Sequence, residues 1–140
     1  MSTIKVDLSA PIYPSDGTGI VPNKPNERVE PDDEILRALS HALNRKMREA
    51  AKAGIIALRD ELGTAEYDFV GNLPSGYTYV RRGRAAPDTR RDIRIYGHPS
   101  GGFFESGAKF MPHVVAMMML YPSYCCCKLC EQMRAIDARA

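Results

Sequence analysis

The chain has 140 residues, is 44% hydrophobic, and carries a net charge of +2 at pH 7 from 19 Lys and Arg against 17 Asp and Glu. That size supports one modest core and argues against two independent domains. The longest apolar run, Val114 to Tyr121, is too short to span a bilayer, and Lys5 and Asp7 sit where a secretory signal needs an apolar block, so a soluble intracellular protein is expected.

Residues 1–31 contain Pro11, Pro14, Pro22, Pro25 and Pro31 together with Gly17 and Gly19, a composition that predicts an extended arm. Asp32, Asp33 and Glu34 then precede Leu36, Leu39, Leu43 and Met47, which recur at three and four. Acidic residues ahead of such a run predict an amphipathic helix from about Asp32 to Ala53, within a helical segment extending through Ile55, Ile56, Leu58 and Leu62 to Gly63. Residues 64–140 form the third segment, a compact domain that ends in a cysteine-rich knuckle. Tyr77 to Val80, Arg91 to Tyr96, and Phe103 with Phe104 read as three short strands separated by turn-forming Gly and Pro, giving an antiparallel meander. Ser106 can cap a following helix in which Phe110, Val114 and Met117 share a face, with Pro112 expected to kink or restart it. Met117, Met118 and Met119 read as core filling. The fold class is therefore α+β: a three-strand antiparallel sheet with a packed helix, preceded by an amphipathic helix and a proline-rich arm.

Charge is unevenly placed. Residues 1–70 hold 9 basic and 12 acidic side chains, whereas residues 71–140 hold 10 basic and 5 acidic. Arg81, Arg82, Arg84, Arg90, Arg91 and Arg94 cluster against only Asp88 and Asp92, which suits a polyanion such as DNA as well as it suits a solvated loop.

All four cysteines, Cys125, Cys126, Cys127 and Cys130, lie within six residues, a poor basis for a disulfide framework. Cys125, Cys127 and Cys130 can supply three thiolates to a tetrahedral zinc. His113, twelve residues before Cys125, is the nearest histidine and the candidate fourth ligand, and Cys126 is chemically able but adjacent to two of the others. One structural zinc is thus a candidate cofactor, the alternative being reduced thiols in a reducing compartment. His98, in the turn Tyr96 to Gly102, has no nucleophile or carboxylate placed beside it by sequence and reads as a hydrogen-bonded turn residue. No phosphate-loop signature is present, and neither an enzyme nor a small-molecule substrate is expected.

The strings LPSGY (Leu73 to Tyr77) and DIRIYGHPSGGFFES (Asp92 to Ser106), with a basic loop between them, resemble the methyl-CpG-binding domain. More narrowly, SDGTG (Ser15 to Gly19), YGHPSGG (Tyr96 to Gly102), PHVV (Pro112 to Val115) and CCCKLC (Cys125 to Cys130) together resemble the transcription-silencing domain of the fungal cryptic loci regulator proteins. That resemblance implies a nuclear, non-enzymatic chromatin regulator: a repressor subunit in an assembly that joins a chromatin remodeller to a histone deacetylase and silences heterochromatin. Its partners would be DNA and the other subunits, without a membrane. Arg84 falls where the methyl-CpG readers place their first base-reading arginine, whose planar fork matches guanine O6 and N7. The remaining arginines would meet phosphates. The second reading arginine is replaced by Glu105, and a carboxylate cannot donate to guanine. Backbone-dominated DNA binding without strict methyl-CpG selectivity is the expectation, and docking of other silencing subunits through the arm and helix is the alternative.

Overall fold

A computed structural model describes residues 3–52, 66–83, 91–119, 125 and 127–139; the side chains of residues 50–52, 91, 138 and 139 lie outside that description. The elements run β1 (Thr3–Val6), β2 (Glu27–Val29), α1 (Asp33–Lys52), β3 (Glu66–Phe69), β4 (Thr78–Gly83), β5 (Arg91–Tyr96), α2 (Gly107–Met118) and α3 (Lys128–Arg139).

The amphipathic pattern forms α1 almost where the spacing predicts it. Asp33 and Glu34 occupy its first turn, where carboxylates meet the positive end of the helix dipole. Ile35, Leu36, Leu39, Leu43 and Met47 are all buried. The polar residues Ser40 and Asn44, one turn apart, complete the pairing of β3. Ser40 Oγ accepts the Phe69 amide at 2.8 Å, while Asn44 takes the Tyr67 amide and donates to the Tyr67 carbonyl, each at 2.9 Å. A helix face thereby satisfies backbone groups on β3 that β1 does not. β1 pairs with β3 in parallel, Val6 opposite Phe69, and both side chains are buried. The expected turns at Ile55 to Leu62 lie outside the described residues.

The antiparallel sheet has three strands in the order β2-β4-β5, with Val80 paired to Val29 on one side and to Arg94 on the other. Its third strand comes from the arm and not from Phe103 and Phe104. Phe104 exchanges both backbone hydrogen bonds with Ile95, at 2.9 and 3.1 Å, but forms only an isolated bridge. The chain must turn at once so that Ser106 can cap α2, which ends the pairing. Asn26 to Glu30 is a proline-free stretch between Pro25 and Pro31, so its amides are free to pair, and Glu30 donates to the Tyr79 carbonyl at 3.0 Å.

Ser106 accepts the Lys109 amide at 3.1 Å and caps α2, which buries Phe110, Val114 and Met117 as the spacing predicts. The helix runs continuously through Pro112 rather than restarting. Pro112 and Ala108 both lie on the exposed side, so water can solvate the Ala108 carbonyl that lacks an amide partner. One apolar cluster joins Val6 and Leu8 from the arm, the buried face of α1, Tyr79 and Ile95 from the sheet, Phe110 and Val114 from α2, and Leu129 from α3. All three segments read from the sequence share that core.

Candidate metal centre

Three polar positions enter this core next to one another. His98 follows β5, His113 projects from the middle of α2, and Cys125, Cys127 and Cys130 flank the start of α3. All five are buried, the two histidines at 1% and 0% exposure, and the three cysteines are free thiols. His113 Nδ1 lies 3.3 Å from Cys125 Sγ, 3.5 Å from Cys127 Sγ and 3.4 Å from Cys130 Sγ. Zn–S bonds of about 2.3 Å and Zn–N bonds of about 2.0 Å at tetrahedral angles separate ligand atoms by roughly 3.5 to 3.8 Å. The side chains thus already stand near the spacing that a zinc ion requires. His98 Nε2 lies 3.2 Å from Cys130 Sγ, and one ligand atom from each of His98, His113, Cys127 and Cys130 falls within 4.8 Å of the other three.

The far side of His113 is fixed as a metal-bound imidazole is usually fixed. Its Nε2 lies 3.0 Å from Asp16 Oδ1 and 2.9 Å from Tyr77 Oη, and Tyr77 donates to the same carboxylate oxygen at 2.6 Å. With the proton on Nε2 held by Asp16, the Nδ1 lone pair faces the three sulfurs. Asp16 reaches this depth because the SDGTG backbone threads between two turns. Thr18 donates to the Gly97 carbonyl at 2.8 Å and Gly19 to the Gly76 carbonyl at 3.0 Å. A Cβ at Gly17 would strike the Ser75 carbonyl, and one at Gly97, where φ is +129°, would strike that of Gly76. Three sequence motifs thus meet backbone to backbone, and glycine is required where they touch.

Electrostatics in the cluster favour one thiolate. The Cys127 thiol is pushed well down, chiefly by a hydrogen bond from Cys125 and then, against its burial, by hydrogen bonds from His113 and His98. Cys125 is pushed up by that same bond with Cys127, and Cys130 by burial. Burial pulls His113 down, but hydrogen bonding to Asp16 and Cys127 outweighs it and holds the imidazole at about 9. These directions favour a protonated imidazole beside a thiolate when no metal is bound, and a divalent cation would displace the Nδ1 proton and expose the lone pair to the sulfurs.

All four sequence-predicted ligands, Cys125, Cys127, Cys130 and His113, are brought together, while Cys126 lies outside the described residues. Sequence reasoning missed His98 and Asp16, which stand 32 residues from Cys130 and 97 from His113 respectively. Only the family resemblance carried by the HPSGG and SDGTG strings together with the cysteine motif pointed toward them.

Among the described residues, two of the arginines turn onto acidic partners. Arg81 bonds to Glu34 and donates to Tyr79 Oη at 2.8 Å. Arg94 lies 3.5 Å from Glu27 and stacks 4.2 Å above the Phe103 ring, with its side chain 14% exposed. Arg82 is half-buried on β4, the side chain of Arg91 is outside the described part, and so are Arg84 and Arg90 entirely. Glu105 is exposed and pairs with Lys109 at 3.2 Å.

No curated protein matches the chain significantly. A solved structure of Clr2 bound to the Clr1 C-terminus matches its fold with a TM-score of 0.57 and 22% identity, over 99% of this chain and 33% of that one. The chain thus spans about a third of the length of that relative. Residues 69–130, which run from the end of β3 to Cys130 and contain both histidines and all the cysteines, match the family described as transcription-silencing protein, cryptic loci regulator Clr2. This segment, somewhat under half of the chain, is thus similar to the Clr2 transcription-silencing family.

Proposed function

We propose that this domain is a non-enzymatic nuclear module of a heterochromatin-silencing assembly, stapled by one structural zinc ion and working by docking a protein partner. A catalytic zinc keeps an open coordination position, whereas every donor here is buried, which supports a structural role. Docking is carried by one observation: Ile12, Ile20, Val21 and Val29 stand exposed along the arm and on β2, an edge strand of its sheet. An exposed edge with apolar side chains suits an added strand from an extended peptide. The Clr2 relative is bound to the C-terminus of Clr1, and the corresponding tail is the natural candidate.

Calorimetric titration with a peptide of that C-terminal tail tests the reading. Binding by the wild type and at least about tenfold weaker binding by Val29→Glu is the expected outcome, equivalent to roughly 1.4 kcal/mol. Equal affinities would exclude the β2 edge as the docking site, and no binding by either protein would remove the docking reading.

DNA contact through Arg82, Arg84, Arg90 and Arg91 is a second reading, favoured by the excess of basic over acidic residues after residue 70. Fluorescence anisotropy with labelled duplexes, methylated and unmethylated, at two salt concentrations tests it. Salt-sensitive binding weakened by Arg84→Ala supports it, and no binding at low salt eliminates it.

A further inference from the structure

Among the described residues, five buried donors surround a centre that accepts four ligands, so one of Cys125 and His98 stays outside the coordination sphere. We infer that zinc is held by Cys125, Cys127, Cys130 and His113 Nδ1, and that His98 serves the site from outside as an N–H donor to the Cys130 thiolate. This rests on the zinc reading above and assigns the role of each donor.

The deciding observation lies on the other side of the His98 ring. The Ser100 backbone amide donates to His98 Nδ1 at 3.0 Å. A backbone amide has no alternative role, so it demands a lone pair on Nδ1 and places the ring proton on Nε2. Ser100 Oγ lies 2.9 Å from the same nitrogen and itself accepts the Gly102 amide at 3.1 Å, which leaves its hydroxyl proton to point toward Nδ1 as well. Ligation through Nε2 would require the opposite tautomer and would set an Nδ1 proton against the Ser100 amide.

The sulfurs give an independent argument. Cys125 Sγ accepts the Cys127 amide at 3.3 Å, and Cys127 Sγ accepts the Cys130 amide at 3.4 Å. Cys130 Sγ has the His98 Nε2 proton at 3.2 Å. Each of the three sulfurs therefore has at least one N–H donor beside it. Three thiolates with a neutral imidazole leave zinc one negative charge in excess, and Asp16 adds another nearby; one donor on each sulfur disperses that charge inside the core. With His98 as a ligand instead, Cys130 loses its donor while Cys125, buried against His113, is left without a role.

X-ray absorption on the zinc-loaded chain, with metal content measured in parallel, separates the possibilities. One zinc per chain with three sulfur neighbours and one nitrogen is expected. His98→Ala should weaken zinc by about 10 to 100-fold in a chelator competition, as removal of an outer-shell donor does, and still show three sulfurs. His98→Gln, which keeps an N–H donor, should lose less than His98→Ala, whereas Cys125→Ser should lose a sulfur neighbour. Two sulfurs and two nitrogens in the wild type would overturn the assignment and leave zinc in place. Failure to retain stoichiometric zinc after reconstitution would overturn the zinc reading itself.

Discussion

Asp16 shows how much a single side chain can bind together. Its carboxylate takes hydrogen bonds from Tyr77 on one turn and from His113 on α2, although it belongs to an arm whose composition predicts irregular chain. Replacing Asp16 with Ala should free the His113 ring to rotate and lower zinc affinity by about 10 to 100-fold, measured against a chromogenic chelator. An unchanged affinity would mean that packing alone holds the imidazole. Gly97→Ala addresses the neighbouring backbone. The added methyl meets the Gly76 carbonyl at a φ of +129°, so a loss of more than about 2 kcal/mol in urea denaturation is expected. Tolerance of that substitution would show that the two turns can separate at little cost. Neither Asp16 nor His98 was legible as part of a site, because residue type and spacing carry no information about which remote side chain a fold brings alongside.

At the scale of elements, α1 and α2 follow their apolar spacing, whereas α3 lies where the cysteine spacing predicts only a knuckle, and β1 and β3 carry no sequence expectation. The spacing predicts α1 from about residue 32, and it starts at Asp33 and runs to Lys52, where the described residues pause, with five apolar residues buried along one face. Leu43, fully buried at 0% exposure, should cost about 2 to 5 kcal/mol when truncated to Ala. Ser106→Ala at the cap of α2 should cost only about 1 kcal/mol, since one amide returns to water. Comparing the two in thermal melts checks that burial and not capping dominates. The sheet was read as three consecutive strands, and its outer member proved to be β2, contributed by the arm. Strand propensity identifies segments that fit a sheet, but pairing depends on which edge another segment reaches, and three residues at Glu27–Val29 offer almost no periodic signal.

For the molecule as a whole, the buried cluster connects the arm, the β5 turn, α2 and α3, so a zinc ion held there as proposed should affect global stability. Chelation should lower the melting temperature and speed amide exchange at Thr18 and Gly19, which bond to the Gly97 and Gly76 carbonyls beside the cluster. Charge is also redistributed by folding. Glu34 engages Arg81 and Glu27 engages Arg94, so acidic residues of the first half withdraw two arginines from the basic second half. If DNA binds while Arg81 and Arg94 stay on their glutamates, at most four of the six arginines can neutralise phosphates, and the slope of log K against log salt should not exceed about −4, compared with roughly −5 for all six. A steeper slope would mean that these ion pairs open on binding.

The sequence by itself determined the family resemblance, the α1 and α2 faces, two of the three antiparallel strands, and the cysteine cluster with His113 as a candidate beside it, because each is written in local spacing and residue chemistry. Only the tertiary structure decided that the arm supplies an edge strand, that Asp16 and His98 join the cysteines, and that Arg81 and Arg94 turn onto glutamates. Those outcomes depend on backbone contacts between remote glycines and on ion pairs across the fold, which exist only once the core has set the distances.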